Sequence, residues 1–298
     1  MITHSIANCH FDKAISNGED KQVLTLCLEC VVEGKSVTAP LQYIAARGAV
    51  AEFVASEAGG AAATHPGEYN IVDVDITNGR GQNFSIDREG FQLVAQPSAV
   101  SDFYDDLLIS EIYEAEVKEL VKSVTGADQV HIFDHTRRAA TDSLRKVVKS
   151  REPASVIHND YTDFSAIQRL RDLLPDQAED RLQNRFAIVN VWRSIHGTVE
   201  TFPMTFCDAT SVDNDDLVPV KRLSNDRVGE IQYALHNSNH RWFYFPAMQI
   251  DEAALIKTYD SATDGRARFT IHSAFDDPSA ADDAAPRQSI ETRCFVFF

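Results

Sequence analysis

The stretch VIHNDYT, residues 156–162, places a histidine and an aspartate two residues apart in a run that favours a β-strand. Because side chains alternate between the two faces of a strand, His158 and Asp160 would point to the same side. Two neutral imidazoles and one carboxylate can bind one face of an iron ion and leave the opposite positions open for substrate and oxygen. The pair therefore predicts two ligands of such a site and requires a second histidine downstream.

Four downstream histidines are candidates for the third ligand: His196, His236, His240 and His272. In RFTIHSAFDD, alternation along a strand places His272 on the same face as Thr270 and Ala274. The opposite face carries the bulkier side chains, Phe269, Ile271 and Phe275. His272 is therefore predicted as the third ligand, because its face leaves room beside the ring. Without such a third ligand, a lone His-x-Asp pair also fits an ordinary polar turn.

Arginines near the end of the chain could complete the site. A dicarboxylate cosubstrate that chelates a metal needs a partner for its far carboxylate, and a guanidinium binds a carboxylate through two parallel hydrogen bonds. Arg287 in PRQSIETR follows His272 after one turn-rich connection and is predicted to have this role. Arg193 in VNVWRSI is predicted to contact a cosubstrate or substrate carboxylate, with a structural ion pair as the alternative. Arg293 is a further position for the cosubstrate contact.

Other groups that could bind a metal have more ordinary interpretations. His131 and His135 share a strand face but lack a matching carboxylate pattern. The acidic residues 213–216 could bind a hard cation, although a solvated loop is the favoured interpretation. The five cysteines do not form a disulfide framework. Cys27 and Cys30 form a C-x-x-C in an apolar run without a second pair, which predicts buried structural thiols.

Composition limits the class of protein. A chain of 298 residues that is 44% hydrophobic can bury a large core, and we expect a single elaborated domain. Its 45 acidic and 28 basic residues give a net charge of −17, which repels polyanions. We therefore expect a small-molecule substrate and no nucleic-acid or membrane partner. The chain has no long apolar run and no secretory signal pattern at its start, so a cytoplasmic protein is expected. A homodimer is also expected, because closed dimers are common.

The chain is rich in short strand-like segments bounded by Pro, Asn, Asp or Gly. One long helix is predicted over residues 103–124, where apolar residues form a stripe and Gly126 is the stop signal. Two short helical segments are predicted at residues 165–174 and 253–258. Many strands with few helices indicate a sandwich or a barrel. Common nucleotide-binding, hydrolase and zinc-protease signatures are absent from the sequence.

Several segments, read in order, carry a family resemblance: SIDREGFQLV, GADQVHIFDHTRR, VIHNDYT, VNVWRSI, FCDATSVDNDDLV, GEIQYALHNSNHRWFYFPAM, HSAFDDP and PRQSIETR. The chain resembles the CmcJ/AsaB-type hydroxylase and desaturase family, which includes gibberellin desaturase and meroterpenoid endoperoxide synthase relatives. These proteins are related to the iron- and 2-oxoglutarate-dependent dioxygenases of natural-product biosynthesis. The resemblance covers about residues 84–298, and the earlier part of the chain matches much less clearly.

The resemblance implies a mainly β fold with flanking helices and a double-stranded β-helix (jelly-roll, cupin-like) core. Residues 101–298 would form this catalytic core, and residues 1–100 a β-rich extension. Fe(II) would bind His158, Asp160 and His272, and 2-oxoglutarate would bind Arg287, with O2 as the oxidant. Asn159 and Tyr161 depart from the H-V-D-Q-T pattern usual in the family, but on a strand both point away from the metal face.

The implied activity is oxidation of an unactivated C–H bond in a small secondary metabolite or amino-acid-derived substrate. Hydroxylation, desaturation and oxidative cyclisation are all compatible with it. Two other functions stay open: a cupin-like metalloenzyme that uses the same triad without 2-oxoglutarate, and a non-catalytic accessory partner of a biosynthetic enzyme. Formation of succinate separates the first two functions.

Overall fold

The computed structural model describes residues 36–224 and 227–298. The predicted role of Cys27 and Cys30 as structural thiols lies outside the described residues. Within the described ranges, none of the helices has the length and apolar character needed to cross a membrane.

The described part of the chain forms two β-sheets. The strands, in chain order, are β1 (Val37–Ile44), β2 (Glu52–Val54), β3 (Tyr69–Asn78), β4 (Phe91–Ala95), β5 (Gln129–Ala139), β6 (His158–Asn159), β7 (Phe186–Ser194), β8 (Met204–Cys207), β9 (Leu217–Ser224), β10 (Arg227–Ala234), β11 (Trp242–Tyr244), β12 (Glu252–Asp260), β13 (His272–Ala274) and β14 (Gln288–Phe297). The larger sheet has the order β1-β3-β11-β8-β13-β6-β10-β9-β2, and the smaller has the order β4-β12-β7-β14-β5.

Eight of these strands form a jelly roll. The strands β5, β7, β12 and β14 lie in the smaller sheet, and β6, β8, β11 and β13 in the larger one, so the chain crosses repeatedly between the sheets. Neighbours within this set of eight are antiparallel. This arrangement confirms the predicted double-stranded β-helix core. The strands before residue 100 extend the edges of both sheets, and the proposed division of the chain at that residue stays a prediction.

Helices cover the outer face of the smaller sheet and one end of the barrel. They are α1 (Asp106–Leu108), α2 (Glu114–Thr125), α3 (Asp142–Val148), α4 (Asp163–Leu173) and α5 (Ala178–Arg181), and a π-helical turn (Ile109–Tyr113) joins α1 to α2. The predicted apolar stripe is confirmed, because Tyr113, Val117 and Val121 are buried against the sheet. Gly126 ends α2 with φ at 71°, a left-handed conformation that glycine adopts at little cost.

The prediction of a helix at residues 253–258 is wrong, because this segment is the middle of β12. Both faces of β12 are buried, so Ala253 and Leu255 pack toward the helices while Ala254 and Ile256 pack into the barrel. A strand buried on both faces has a continuous apolar run that periodicity alone does not distinguish from a helix. The other short helix is confirmed as α4, which begins with a capping box between Thr162 and Ser165.

Candidate metal centre

His158 and His272 lie side by side on neighbouring strands of the larger sheet. The two residues are register partners in the antiparallel pair of β6 and β13, and their ring centroids are 4.6 Å apart. Asp160 follows the end of β6, and the ligand atoms of all three side chains lie within 4.8 Å of one another. Across residues 36–224 and 227–298, no other three histidine, cysteine or carboxylate side chains converge in this way. The structure therefore brings the three predicted ligands together.

A backbone carbonyl orients each imidazole. His158 Nδ1 donates to the carbonyl oxygen of Val156 over 2.8 Å, and His272 Nδ1 donates to that of Thr270 over 2.8 Å. In both cases the acceptor belongs to the residue two positions earlier. Because a carbonyl only accepts, the proton lies on Nδ1, and Nε2 keeps its lone pair. Both Nε2 atoms are therefore available to a metal ion.

The surroundings keep His272 neutral. Its side chain is 1% exposed. Burial, and after it the nearby ring of His158, lower the pKa of His272 to about 4, although the carboxylate of Asp160 acts in the opposite direction. Metal ions bind the neutral form of an imidazole, so His272 is already in its ligand form at neutral pH.

The two carboxylate oxygens of Asp160 have different partners. Oδ2 accepts from Asn190 Nδ2 over 2.7 Å and from Arg293 Nε over 2.9 Å. Oδ1 has no such donor and lies 3.5 Å from His158 Nε2. Burial disfavours the charged carboxylate, but the charge of Arg293 is the largest opposing cause, and the pKa of Asp160 is held well below its usual range. Asp160 is therefore ionised, with Oδ1 directed to the centre of the triad.

Arg293 connects the triad to a wider carboxylate network. Besides Asp160, its guanidinium donates to Asp134 Oδ2 over 2.6 Å and to Glu291 Oε2 over 2.7 Å. Burial disfavours the charged guanidinium, but the three carboxylates raise its pKa well above the ordinary value. Asn190 Nδ2 also donates to Glu291, over 2.9 Å. The carboxylate ligand is thus held by a buried network that is itself well paired.

Arg287 points into the barrel with donors that have no partner. Side chains alternate between the two faces along β14 and the residue directly before it. The inner face therefore carries Arg287, Ser289, Glu291 and Arg293. Arg287 is 2% exposed, lies over the ring of Trp192 at 5.5 Å and donates through Nη1 to the carbonyl of Phe202. Its Nε and Nη2, Ser289 Oγ and Trp192 Nε1 are buried without a hydrogen-bond partner.

These unpaired donors identify a place for an acceptor group. Burial, and then the charge of Arg138, lower the pKa of Arg287 to about 9, and the carboxylate of Glu291 offsets only part of this effect. Buried polar groups are nearly always hydrogen-bonded, and each exception needs an explanation. A carboxylate between Arg287, Ser289 and Trp192 would satisfy several of these donors at once.

The structure does not bring Arg193 to the triad. Arg193 and Asn190 are three residues apart on β7, so their side chains point to opposite faces of the smaller sheet. Asn190 reaches Asp160, whereas Arg193 donates to the backbone carbonyls of Gln96 and Ile250 on the helical side. Its guanidinium lies 5.2 Å from the ring of Phe103.

The remaining candidates from the sequence have other partners. His135 Nδ1 lies 2.9 Å from Thr292 Oγ1, and its Nε2 lies 3.6 Å from a carboxylate oxygen of Glu114 in α2. In the acidic segment, Asp216 accepts from Asn237 and lies 3.1 Å from His240 Nε2. None of the other histidine candidates belongs to the converging group in the described residues: His131, His135, His196, His236 and His240.

A cavity of about 730 Å³ opens beside the triad, and His158, Asp160 and Arg293 form part of its wall. Apolar and aromatic side chains, among them Phe133 and Tyr161, form another part. The volume is in the range of cavities that bind small organic molecules. A ligand in this cavity would lie directly against the triad.

Sequence reasoning missed Asn190 and the role of Arg293 as the partner of Asp160. Both are far from Asp160 in sequence, and only the pairing of β14 with β7 brings them together. A signal was nevertheless present, because Asn190 is a single polar residue in the apolar run FAIVNVW. A buried polar residue inside such a strand needs a hydrogen-bond partner.

Two imidazoles and one carboxylate at the centre of a jelly roll define a mononuclear non-haem iron site of the oxygenase class. Residues 41–297 match the family model described as Oxidoreductase/YMDC permease-like domain. The chain belongs to this family, whose curated members include hydroxylases/desaturases and Fe(II)/2-oxoglutarate-dependent dioxygenases, as the sequence predicted.

Two relatives illustrate the family. The hydroxylase/desaturase CTB9 of Cercospora beticola is 35% identical over 255 residues, covering 78% of this chain and 78% of the relative. The Fe(II)/2-oxoglutarate-dependent dioxygenase nvfI of Aspergillus novofumigatus is 35% identical over 196 residues, covering 65% of this chain and 69% of the relative. The solved structure of the iron and alpha-ketoglutarate-dependent endoperoxidase NvfI superimposes with a TM-score of 0.77 at 26% identity, over 88% of this chain and 98% of that one.

Proposed function

We propose that this chain is an Fe(II)/2-oxoglutarate-dependent oxygenase that oxidises an unactivated C–H bond of a small secondary metabolite. The observation that carries the proposal is the convergence of His158, Asp160 and His272, whose ligand atoms lie within 4.8 Å of one another. When bound, Fe(II) and 2-oxoglutarate supply the activation of O2 and couple decarboxylation of the cosubstrate to oxidation of the C–H bond.

The donor set fits Fe(II). Two neutral imidazole nitrogens and one carboxylate oxygen are the ligands that non-haem oxygenases present to iron, and they leave positions free for other ligands. His158 Nε2, Asp160 Oδ1 and His272 Nε2 are the atoms we assign. The second atom of each group is already hydrogen-bonded, which supports ligands that are oriented before the metal binds.

The surroundings of Arg287 fit the far carboxylate of 2-oxoglutarate. We assign the C5 carboxylate to Arg287 and Ser289, because their buried donors have no other partner. The 2-oxo acid end would then reach the iron from inside the barrel. Trp192, whose ring lies under the guanidinium of Arg287, would form the wall of this subsite. We assign no role in the reaction to Arg193, whose guanidinium is bound to backbone carbonyls.

The protein's own contribution is orientation and exclusion of water. Asn190 and Arg293 hold Asp160 in place, and the cavity beside the triad receives the substrate. Its walls would position the substrate beside the triad and limit access of water. The names of the relatives include hydroxylation, desaturation and endoperoxide formation. Which of these this chain performs depends on where its cavity places the C–H bond.

The test is anaerobic titration of the Fe(II)-loaded protein with 2-oxoglutarate, followed by the weak visible charge-transfer band of the chelate. We expect the band in the wild-type protein and its loss in His158→Ala, which removes one ligand. Bound iron without a band would favour a cupin-like enzyme that does not use 2-oxoglutarate. Absence of iron binding would overturn the proposal and favour an accessory protein.

The cytoplasmic location and the homodimer stay predictions. Sedimentation of the purified full-length chain tests the homodimer, and localisation of the tagged protein tests the compartment. Neither result changes the assignment of the triad, because all three ligands come from one chain.

A further inference from the structure

The cavity beside the triad is unusually rich in arginine for a chain whose net charge is −17. Six arginines line it: Arg138, Arg151, Arg169, Arg222, Arg227 and Arg293. Its lining contains no lysine. Guanidinium groups match the planar, bidentate geometry of a carboxylate, so this composition indicates recognition of an oxyanion.

Within residues 36–224 and 227–298, five of these arginines form no ion pair with a carboxylate. Among the described residues, only Arg293 of the six forms ion pairs. Its partners include two acids of the cavity wall, Asp134 and Asp160. The other acids of the wall have different partners. Glu152 accepts from the backbone of Ala63 over 2.8 Å, Asp172 accepts from Gln168 over 2.7 Å, and Glu230 accepts from Thr162 over 2.5 Å. Among the described residues, the cavity wall therefore carries arginines that are not held in ion pairs, although carboxylates also contribute to the wall.

Arg151 and Arg222 reach the cavity from the two different sheets. Arg151 is the bridge partner of Arg138 beside the end of β5, where Ala139 N donates to the carbonyl of Arg151 over 2.8 Å. Arg222 lies on β9 of the larger sheet, opposite Gly229. Gly229 has no side chain, and the guanidinium of Arg227 lies over it, with Arg227 Nη2 3.2 Å from where a Cβ of Gly229 would be.

The two arginines act on each other electrostatically. Burial, and then the charges of Arg151, Arg293 and Arg227, lower the pKa of Arg222 to about 10. Asp160, the carboxylate ligand, acts on Arg222 in the opposite direction, so Arg222 lies within electrostatic reach of the triad. Clustered guanidinium groups repel one another, and a bound anion would relieve this repulsion.

The rest of the cavity wall suits an apolar body. Aromatic and aliphatic side chains include Phe53, Phe133, Tyr161, Ile231 and Tyr233. The rings of Phe53 and Tyr233 pack together with centroids 5.7 Å apart. A ligand with one charged end and an apolar remainder would match both parts of the wall.

We infer that the substrate is an organic anion of the carboxylate class, whose oxyanion binds Arg151 and Arg222 and whose apolar body packs on the aromatic wall. This inference rests on the proposed function, because the triad at the cavity wall supplies the reaction. The cosubstrate is not the anion in question, because the buried unpaired donors of Arg287 and Ser289 lie outside the lining of this cavity.

The test compares carboxylates with their neutral amides. The Fe(II)-loaded protein is saturated with 2-oxoglutarate under anaerobic conditions, and the charge-transfer band is recorded before any probe is added. 1-Naphthoate and 4-phenylbutyrate, each beside its primary amide, are then titrated by calorimetry. We expect at least one carboxylate to bind about tenfold or more tightly than its amide, as one charge-assisted contact would give.

Variants then locate the anion. Arg151→Gln and Arg222→Gln should each weaken the carboxylate about tenfold and leave the amide unchanged, and Arg222→Lys should retain part of the preference. Lys221→Gln is the matched control, because it removes one positive charge from the next position of β9, an exposed one on the opposite face. It should leave both affinities unchanged.

Three outcomes would overturn the inference. The first is a charge-transfer band together with equal affinities for each carboxylate and its amide. If the proposed function itself were wrong, no band would form, so the two failures can be distinguished. The second is a loss of carboxylate affinity in Lys221→Gln equal to that in the two arginine variants. This result would show that the preference depends only on the net charge of the protein. The third is a higher requirement for 2-oxoglutarate in the Arg151 and Arg222 variants with the carboxylate affinity unchanged, which would assign both arginines to the cosubstrate.

Discussion

Arg293 Nε donates to Asp160 Oδ2 over 2.9 Å, and this bond determines which oxygen of the carboxylate remains for a metal ion. The same oxygen accepts from Asn190, so Oδ1 alone is left facing the two histidines. Asn190 and Arg293 thus leave one oxygen of Asp160 free for the metal ion that we propose at the triad.

Replacing Arg293 by lysine should weaken iron binding about tenfold to a hundredfold, the usual effect of losing an outer partner of a ligand. Lysine keeps the charge but cannot contact Asp160, Asp134 and Glu291 in the fixed geometry of a guanidinium. Competition with a chelator measures the Fe(II) affinity. Arg241→Lys, at an arginine that pairs with Asp208 away from the triad, is the control. Equal affinities in wild type and Arg293→Lys would mean that Asp160 needs no orientation.

Replacing any one ligand by alanine, in His158→Ala, Asp160→Ala or His272→Ala, should abolish stoichiometric iron while the fold is kept. Each change removes a ligand atom and little of the apolar core. Metal analysis after anaerobic reconstitution measures the iron, and circular dichroism measures the fold. His131→Ala removes an imidazole outside the converging group and should retain iron. Full iron content in one of the three ligand variants would show that the ligand is another residue.

Arg287→Met should raise the concentration of 2-oxoglutarate needed for the charge-transfer band by about tenfold or more while iron binding is unchanged, since a charge-assisted pair is lost. Without cosubstrate, the variant should be at least as stable as the wild type. Its buried guanidinium has two donors without partners, and removing a buried charge that is only partly compensated relieves a cost. Thermal unfolding with and without 2-oxoglutarate measures both effects, because only the wild type should gain stability from the ligand. A clear loss of stability in the ligand-free variant would contradict this account.

The pKa of Arg287, lowered to about 9 against an ordinary value of 12.5, gives the same site a pH dependence. Above pH 9 the folded protein loses this proton while the unfolded chain keeps it, so this group makes the ligand-free protein more stable as pH rises. Binding of 2-oxoglutarate should weaken over the same range, because the dicarboxylate needs the charged guanidinium. Titrations at pH 7.5 to 10 check the trend, and Arg287→Met should remove it.

Acid should destabilise the metal-free protein through His272. Its folded pKa of about 4 lies below the ordinary 6.5, so the unfolded chain binds the proton first as pH falls. This group's contribution to stability is therefore complete above about pH 6.5 and is lost as pH falls toward 4. Urea unfolding between pH 4.5 and 7 measures the slope, and His272→Gln should reduce it. An unchanged slope would assign the effect to other groups.

The convergence of His158, Asp160 and His272 was predictable because its geometry is local. Side chains alternate between the two faces of a strand, so His158 and Asp160 share one face. The same alternation places His272 on the face opposite Ile271, which packs in an apolar cluster. The fold class followed from the family resemblance and from the many short strands. These signals need no knowledge of contacts between distant segments.

The other features of the fold and the site depend on contacts between distant segments of the chain. Arg193 and Arg287 are equally good guanidinium donors in sequence, and only the face on which β7 and β14 present them distinguishes the two. The helix predicted at residues 253–258 is a strand because β4 and β7 pair with its two edges and apolar clusters cover both of its faces. Arg151 and Arg222 are 71 positions apart in the chain, and the closure of two sheets brings them to one cavity.

The two kinds of ligand in the triad are held by different means. Each imidazole is oriented by a main-chain carbonyl two residues earlier, whereas the carboxylate depends on the side chains of Asn190 and Arg293. Point substitutions can alter a side chain but leave a carbonyl in place. The nitrogen ligands are therefore resistant to mutation of their supports, and the oxygen ligand is the adjustable one. Any change of metal preference by directed evolution would be expected to begin at Asn190 or Arg293.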